Sequence, residues 1–136
     1  MKPAVALAVD GACVVVFALI GRASHAEAFD LAGLARTAGP FLAGAAIGTL
    51  LGRTWRRPLT LASGVAVWTG TLVGGMLLRA LTGGGVAVSF VIVAGITMAV
   101  LLLGWRLGVR WIQSRRSPAR RLLRGSSSQA DTNSAG

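Results

Sequence analysis

The chain has 136 residues, of which 54% are hydrophobic and 13% are charged. Its mean hydropathy is +0.68, and four membrane helices of about 19 residues would use about 76 mainly apolar residues. Length therefore excludes a separate soluble catalytic domain. The formal net charge of +10 favours an anionic partner, either nucleic acid or a membrane surface, and the hydropathy favours the membrane.

Four apolar runs predict four membrane-spanning helices, at about residues 4–21, 37–53, 59–79 and 86–105. Each run is long enough, at about 1.5 Å per residue, to cross or nearly cross a hydrocarbon core of roughly 30 Å. None shows the alternation of polar and apolar residues that a membrane barrel requires. The predicted fold is an all-α polytopic membrane domain over residues 1–112, followed by a basic and then disordered tail over residues 113–136.

The first run also resembles a secretory signal peptide, because Lys2 precedes it and Ala26-Glu27-Ala28 after it has the form of a cleavage site. Its length and the acid at Asp10 favour a retained span. The segment that follows the run is outside in both interpretations.

The basic residues are distributed unevenly between the two sides of this topology. The first and third loops carry three of the fourteen, and the N-terminus, the second loop and the tail carry eleven. The positive-inside rule therefore predicts a multi-pass protein of the plasma membrane with both termini in the cytoplasm.

Asp10 is the one acid inside a predicted span. A charge at this depth needs a partner or must be neutralised. One hypothesis is a structural pair with Arg53 or Arg106, or with Thr60 or Ser63. The alternatives are a proton or cation site in a transport path and a protonated acid that faces lipid.

The first loop and the outer end of the third span hold most of the other polar residues. Ser24 and Glu27 have the spacing of a capping box, which predicts a short interfacial helix through about Leu34. Thr37 would then cap the second span, with Pro40 in its first turn. The candidate functional residues in this outer layer are Arg22, His25, Glu27, Pro40 and Arg79; a histidine such as His25 titrates near neutral pH in some sites, although a solvated loop histidine is commoner.

Small residues recur at four-residue spacing, as in Gly44, Gly48 and Gly52 of the second span and Gly70 and Gly74 of the third. Such stripes allow helices to pack closely in lipid. They predict packing within the four-helix bundle or, alternatively, a homo-oligomer built on the second helix.

The tail combines arginines with Trp105, Trp111, Ile112, Leu122 and Leu123. This pattern favours anchoring to anionic lipid headgroups over binding of nucleic acid. The residues predicted to anchor are Arg110, Arg115, Arg116, Arg120, Arg121 and Arg124.

No cofactor is predicted. One Cys and one His are too few for a zinc site with three or four nitrogen and sulfur ligands. The sequence also has no glycine-rich phosphate loop that ends in Lys-Ser or Lys-Thr.

Four strings, Gly21–His25, Thr37–Gly44, Gly75–Arg79 and Gly104–Arg106, resemble a family of small prokaryotic membrane proteins, the domain of unknown function numbered 3054. The resemblance spans about residues 5–107. It implies four membrane helices and supplies no activity or ligand. Positions that match the family pattern are Arg22, His25, Pro40, Arg79 and Arg106.

Three classes of function follow from these patterns. The leading hypothesis is a structural or accessory protein of the membrane, with a homo-oligomer or a membrane protein as partner. The second is a small oligomeric transporter or channel that uses Asp10. The third is an enzyme with an outer-face site around His25 and Arg79, together with Glu27 and Asp30.

Overall fold

A computed structural model describes residues 1–24 and 30–134, and within these ranges the regular secondary structure is entirely helical. A 3-10 turn lies between α2 and α3, and a π-helical turn joins α3 to α4. The elements in chain order are α1 (Pro3–Ser24), α2 (Leu31–Gly52), the 3-10 turn (Thr54–Arg56), α3 (Leu61–Thr69), the π-turn (Gly70–Gly74), α4 (Gly75–Leu81) and α5 (Val88–Ser134).

Four stretches of the described chain are long and apolar enough to cross a membrane, which confirms the predicted all-α class and the predicted number of span-length apolar helices. Between 22% and 33% of the most apolar window of each is buried inside the molecule. The remaining apolar surface faces outward, as expected for helices whose solvent is lipid. The four stretches are Pro3–Ser24, Leu31–Gly52, Leu61–Leu81 and Val88–Arg116.

The second span begins earlier than predicted. The side chain of Asp30 accepts a hydrogen bond from the backbone N–H of Gly33 and caps α2, so the prediction of a cap at Thr37 is wrong. Thr37 instead donates from its hydroxyl to the carbonyl of Gly33, 3.0 Å away, inside the helix. Pro40 accordingly lies in the interior of α2, where it removes one helical hydrogen bond, and not in the first turn.

The predicted interfacial helix from Ser24 to Leu34 is also wrong where the structure describes it. Ser24 ends α1, and its hydroxyl donates to the carbonyl of Ile20 at 2.8 Å. Leu31 to Leu34 belong to α2. The other half of the predicted capping box, Glu27, lies outside the described residues.

Glycines of α2 pack directly against the third span. A Cβ at Gly44 would lie 2.6 Å from the carbonyl oxygen of Gly70, and a Cβ at Gly48 would lie 2.5 Å from the carbonyl oxygen of Ala66. Gly74 likewise faces the Cα of Gly44. These contacts place the α2 stripe inside the bundle, in agreement with the packing interpretation.

The apolar core lies between α1, α2, α3 and α5. Three aromatic rings meet near one end of it: Phe17 and Phe41 pack edge to face with centroids 5.4 Å apart, and Phe90 lies 6.4 Å from each. The buried residues that form the core are Val14, Phe17, Phe41, Ala45, Val67, Ala94, Met98 and Leu102.

By its contacts the chain forms two units, Met1–Arg106 and Leu107–Gly136. The first contains α1 to α4 and the beginning of α5. In the second, the backbone is helical through Ser134, whereas the composition of residues 125–136 predicts disorder. Small polar residues give this segment little apolar area to bury, which is the physical basis of the predicted disorder. The division after residue 112 stays a prediction.

Candidate functional site

The acid within the first span forms a two-point ion pair with an arginine of α5. Both terminal nitrogens of Arg106 donate to Asp10, Nη1 to Oδ1 and Nη2 to Oδ2, each at 2.7 Å. Arg106 is 0% exposed and Asp10 is 3% exposed. Arg106 is therefore the partner of Asp10 among those predicted, and the geometry is the paired fork that arginine and carboxylate favour.

Further hydrogen bonds surround this pair. The indole N–H of Trp105 donates to Oδ1 of Asp10 at 2.9 Å. Arg106 donates from Nε to the carbonyl of Pro58 at 3.0 Å and from Nη1 to the carbonyl of Leu102 at 2.8 Å. Within the described chain, no buried side-chain nitrogen or oxygen lacks a hydrogen-bond partner.

Gly64 of α3 makes room for the arginine. A Cβ at this position would lie 3.0 Å from Cδ of Arg106 and 2.7 Å from Cδ2 of Leu103. The pair thus joins α1 to α5, with α3 and the carbonyl of Pro58 closing around it. The other predicted partners do not reach it: Arg53 is exposed, and Thr60 and Ser63 bond to each other and to the carbonyl of Arg57.

A second candidate site lies at the end of the bundle where α1 ends and α2 begins. It is a cavity of about 930 Å³, within the range of roughly 300–1,000 Å³ typical of ligand pockets. Arginines from three elements line it, Arg22 of α1, Arg36 of α2 and Arg79 of α4, together with the acid Asp30. Pro40 also lines it, so three of the predicted outer-layer residues converge on one cavity.

Arg22 is held against the beginning of α2. Its Nη2 lies 3.2 Å from Oδ1 of Asp30, and its Nη1 donates to the hydroxyl of Thr37 at 3.4 Å. Gly33 leaves space for this pair, because a Cβ there would meet both charged groups. The same carboxylate thus caps α2 and pairs with Arg22.

Arg79 is positioned by the loop that follows it and by an aromatic ring. Its Nε donates to the carbonyl of Gly85 at 3.0 Å, and its Cζ lies 4.9 Å from the centre of the Phe90 ring. Gly84 N–H donates to the carbonyl of Arg79 at 2.8 Å. Gly83 has a φ of +82°, a left-handed conformation that glycine adopts without strain, so this glycine allows the loop to turn back over Arg79.

An apolar cleft of about 240 Å³ adjoins the larger cavity. Its walls are Phe17, Ala18 and Gly21 of α1 and Phe90 of α5. Arg22, Thr37 and Arg79 line both spaces. The cationic cavity and the apolar cleft therefore share three lining side chains.

Neither site contains Arg110, Arg115 or Arg116, and the side chains of Arg120, Arg121 and Arg124 lie outside the described part of the structure. His25 and Glu27 lie outside the described residues. In the second unit, the side chains of Arg110, Arg115 and Arg116 are exposed, and the guanidinium of Arg115 stacks on Trp111 with its Cζ 3.9 Å from the ring centre. Between residues 1 and 24 and between 30 and 134, no group of three or more His, Cys, Asp or Glu side chains is arranged to hold a metal ion.

Sequence reasoning missed several residues that build these sites. Trp105 was identified in a family string and among the aromatic residues beside the tail arginines, and not as a partner of Asp10. Its position next to Arg106 and its single N–H donor are nevertheless signals for a partner of a buried acid. Pro58 contributes through its carbonyl, which no side-chain pattern reveals. Three glycines leave room for the arginine side chains of these sites, and glycine frequency alone cannot distinguish them from glycines that pack helices together. They are Gly33, Gly64 and Gly84.

The fold and these contacts define a small four-helix protein of the membrane class, with one ion pair inside the bundle and one cationic cavity at its end. A family model described as "Protein of unknown function (DUF3054)" matches residues 7–109, and the chain belongs to that family. No curated protein and no solved structure matches the chain.

Proposed function

We propose that this chain is a structural or accessory component of the plasma membrane, with four spans and both termini in the cytoplasm. The observation that carries the proposal is the pair of Asp10 and Arg106. A side chain that passes a proton or cation must exchange partners during transport, whereas this carboxylate accepts three hydrogen bonds from Trp105 and Arg106. The arrangement supports a role in holding α1 and α5 together.

The distribution of charge supports the proposed orientation. Eleven of the fourteen basic residues belong to the N-terminus, the loop before α3 and the segment from Arg106 onward. Arginine side chains exposed beside Trp111 are suited to anionic headgroups of the inner leaflet, at about 1 kcal/mol for each base near the surface. Lipid headgroups are therefore the proposed partners of the second unit.

Photo-crosslinking in native membranes tests the accessory role. A photoreactive amino acid would replace one exposed residue in each span, with the buried Met98, 1% exposed, as the matched control. We expect adducts with a second copy or with a partner protein from at least one exposed position and none from position 98. Adducts with lipid alone at all four positions would contradict the proposal. The exposed positions are Val16, Ile47, Leu77 and Ile96.

The cavity lined by Arg22 and Arg79 favours a second candidate, an oligomeric transporter or channel. Flux of protons, cations or small solutes into liposomes that contain the purified protein would test it. If a flux is observed and disappears in Asp10→Asn, Asp10 has a transport role and not a structural one. Flux that is absent, or unchanged in Asp10→Asn, leaves this alternative without a basis.

The same cavity is the basis for the enzyme hypothesis, in which Arg79 orients an anionic substrate at the outer face. Asp30, the acid in the cavity, is paired with Arg22, so proton transfer would depend on His25 or Glu27. Activity on a lipid or envelope precursor that survives His25→Ala would eliminate this assignment.

A further inference from the structure

The end cavity carries an excess of positive charge among the residues that the structure describes. Three arginines and one aspartate line it, and the aspartate lies 3.2 Å from Arg22. The described lining is therefore cationic by two charges, contributed in effect by Arg36 and Arg79. Arg36 is exposed, whereas Arg79 is partly removed from water and is therefore stabilised by a nearby anion, so the charge of the cavity favours an anionic ligand.

Arg79 is the side chain best prepared to bind that anion. Its side chain is half-buried. Its Nε donates a hydrogen bond to the carbonyl of Gly85, and its guanidinium lies over the ring of Phe90. Within the described ranges no acid forms an ion pair with it. Its two terminal nitrogens remain as a fixed fork, the geometry that binds two oxygens of a phosphate or carboxylate.

The adjoining cleft indicates that the ligand also has an apolar part. Its walls are aromatic and aliphatic, and it meets the charged cavity at Arg22, Thr37 and Arg79. A free oxyanion would leave this cleft unused. A molecule with an anionic head and an alkyl chain would fill both spaces at once.

We infer that the two spaces form one site for an anionic amphiphile. Its phosphate-type head binds Arg79 and Arg36 in the cavity, and its alkyl chain enters the cleft between Phe17 and Phe90. Neither Asp10 nor Arg106 lines this site, and the inference does not depend on which way the protein is oriented in the membrane.

Native mass spectrometry of the full-length protein in a neutral detergent tests the site. The protein would be titrated with phosphatidic acid and, separately, with phosphatidylcholine that carries the same acyl chains. We expect one phosphatidic acid to bind with an affinity about tenfold higher than phosphatidylcholine. Arg79→Gln should remove that preference, and Arg79→Lys, which keeps the charge and loses the fork, should retain part of it.

Arg56→Gln is the matched control, because it removes one exposed arginine that belongs neither to the cavity nor to the segment proposed to bind headgroups. The preference for the first phosphatidic acid should persist in this variant. Thermal unfolding of each variant in the same detergent establishes that it is folded; if Arg79→Gln does not fold, Arg79→Lys and Gly21→Val carry the test. A preference that is unchanged in a folded Arg79→Gln or Arg79→Lys, or lost in Arg56→Gln, would overturn the inference.

Equilibrium binding of inorganic phosphate separates an amphiphile from a free anion. Gly21→Val adds volume to the wall of the cleft, where a Cβ meets no heavy atom within 4 Å. We expect this variant to lose about tenfold in affinity for phosphatidic acid while any weak binding of inorganic phosphate is unchanged. Inorganic phosphate that binds the unmodified protein as tightly as phosphatidic acid would identify a site for free oxyanions and refute the amphiphile.

Discussion

Arg106 binds Asp10 through both of its terminal nitrogens, at 2.7 Å each, although the two residues are 96 positions apart in the sequence. The pair connects the beginning of the chain to the last span. In a low-dielectric interior such a pair is stable only when each group keeps all its partners. Here Trp105, Pro58 and Leu102 supply the additional hydrogen bonds.

Replacing one member of this pair should lower the free energy of unfolding much more than replacing both. We expect Arg106→Met to lower the free energy of unfolding by about 3–5 kcal/mol, because it leaves a buried carboxylate without its counter-charge. The double variant Asp10→Leu with Arg106→Met should recover most of that loss. Unfolding in mixed micelles, followed by circular dichroism, measures all members of this double-mutant cycle.

Arg56→Met provides the control for the loss of an arginine. Arg56 lies in the 3-10 turn and is exposed, so its replacement should change stability by less than about 0.5 kcal/mol. Single and double variants that are equally unstable would contradict the role assigned to the pair, since the cost would then come from packing alone.

Trp105 should stabilise the fold through the hydrogen bond from its N–H to Asp10 as well as through the packing of its ring. Trp105→Phe keeps an aromatic ring beside Arg106 and removes the hydrogen bond to Asp10. We expect a loss of about 1.5–3 kcal/mol, as for a bond to a charged group, against about 0.5–1.5 kcal/mol for Trp68→Phe, which removes a bond to the neutral carbonyl of Gly95. Both variants are measured by unfolding in the same micelles. Equal losses of the free energy of unfolding would show that the charge of Asp10 does not strengthen the hydrogen bond from Trp105.

The number of spans could be predicted from the sequence because each depends on a local property, the mean hydropathy of about 20 consecutive residues. The start of α2 depends on a finer balance. Thr37 before Pro40 has the pattern of a helix start, but Asp30 has the better acceptor, and six residues of helix lie between it and Thr37. A proline at a helix boundary cannot be distinguished by pattern from one tolerated inside a span.

The candidate sites were predicted unevenly for a similar reason. Asp10 was identifiable because an acid in an apolar run is exceptional, and Arg106 was one of two arginines near enough to reach it. The choice between Arg53 and Arg106 depended on the direction in which each helix end projects, which hydropathy does not encode. Convergence of Arg22 and Arg79 required the Gly83 turn and the space at Gly33, and both are properties of the folded backbone.

The glycines of α2 should be intolerant of side chains only on the face toward the third span. Gly48→Ala introduces a Cβ 2.5 Å from the carbonyl oxygen of Ala66 and 3.1 Å from the Cα of Gly70. We expect it to lower the free energy of unfolding by about 1–3 kcal/mol through overpacking. Gly39→Ala is the matched control on the same helix, because its Cβ meets nothing within 4 Å, and it should be neutral or stabilising by up to about 1 kcal/mol.

Crosslinking of the same two variants separates packing within the bundle from a homo-oligomer through α2. If the stripe serves the bundle, Gly48→Ala lowers stability without changing the ratio of monomer to crosslinked dimer in membranes. A dimer that is lost in Gly48→Ala while the monomer unfolds normally would assign the stripe to an interface between copies.

Cysteine labelling should reveal the orientation of the chain, because Cys13 is the one native cysteine. In a Cys13→Ala background, Ala87→Cys places a thiol in the loop before α5. Ser114→Cys places one in α5 beyond residue 105, where the sequence predicts the fourth span to end; both positions are exposed. The excess of arginine in the segment from Arg106 onward predicts that this segment stays in the cytoplasm. A maleimide that cannot cross membranes should therefore label Ala87→Cys in intact cells and Ser114→Cys only after lysis. The reverse pattern would invert the topology and place the arginine-lined cavity on the cytoplasmic side.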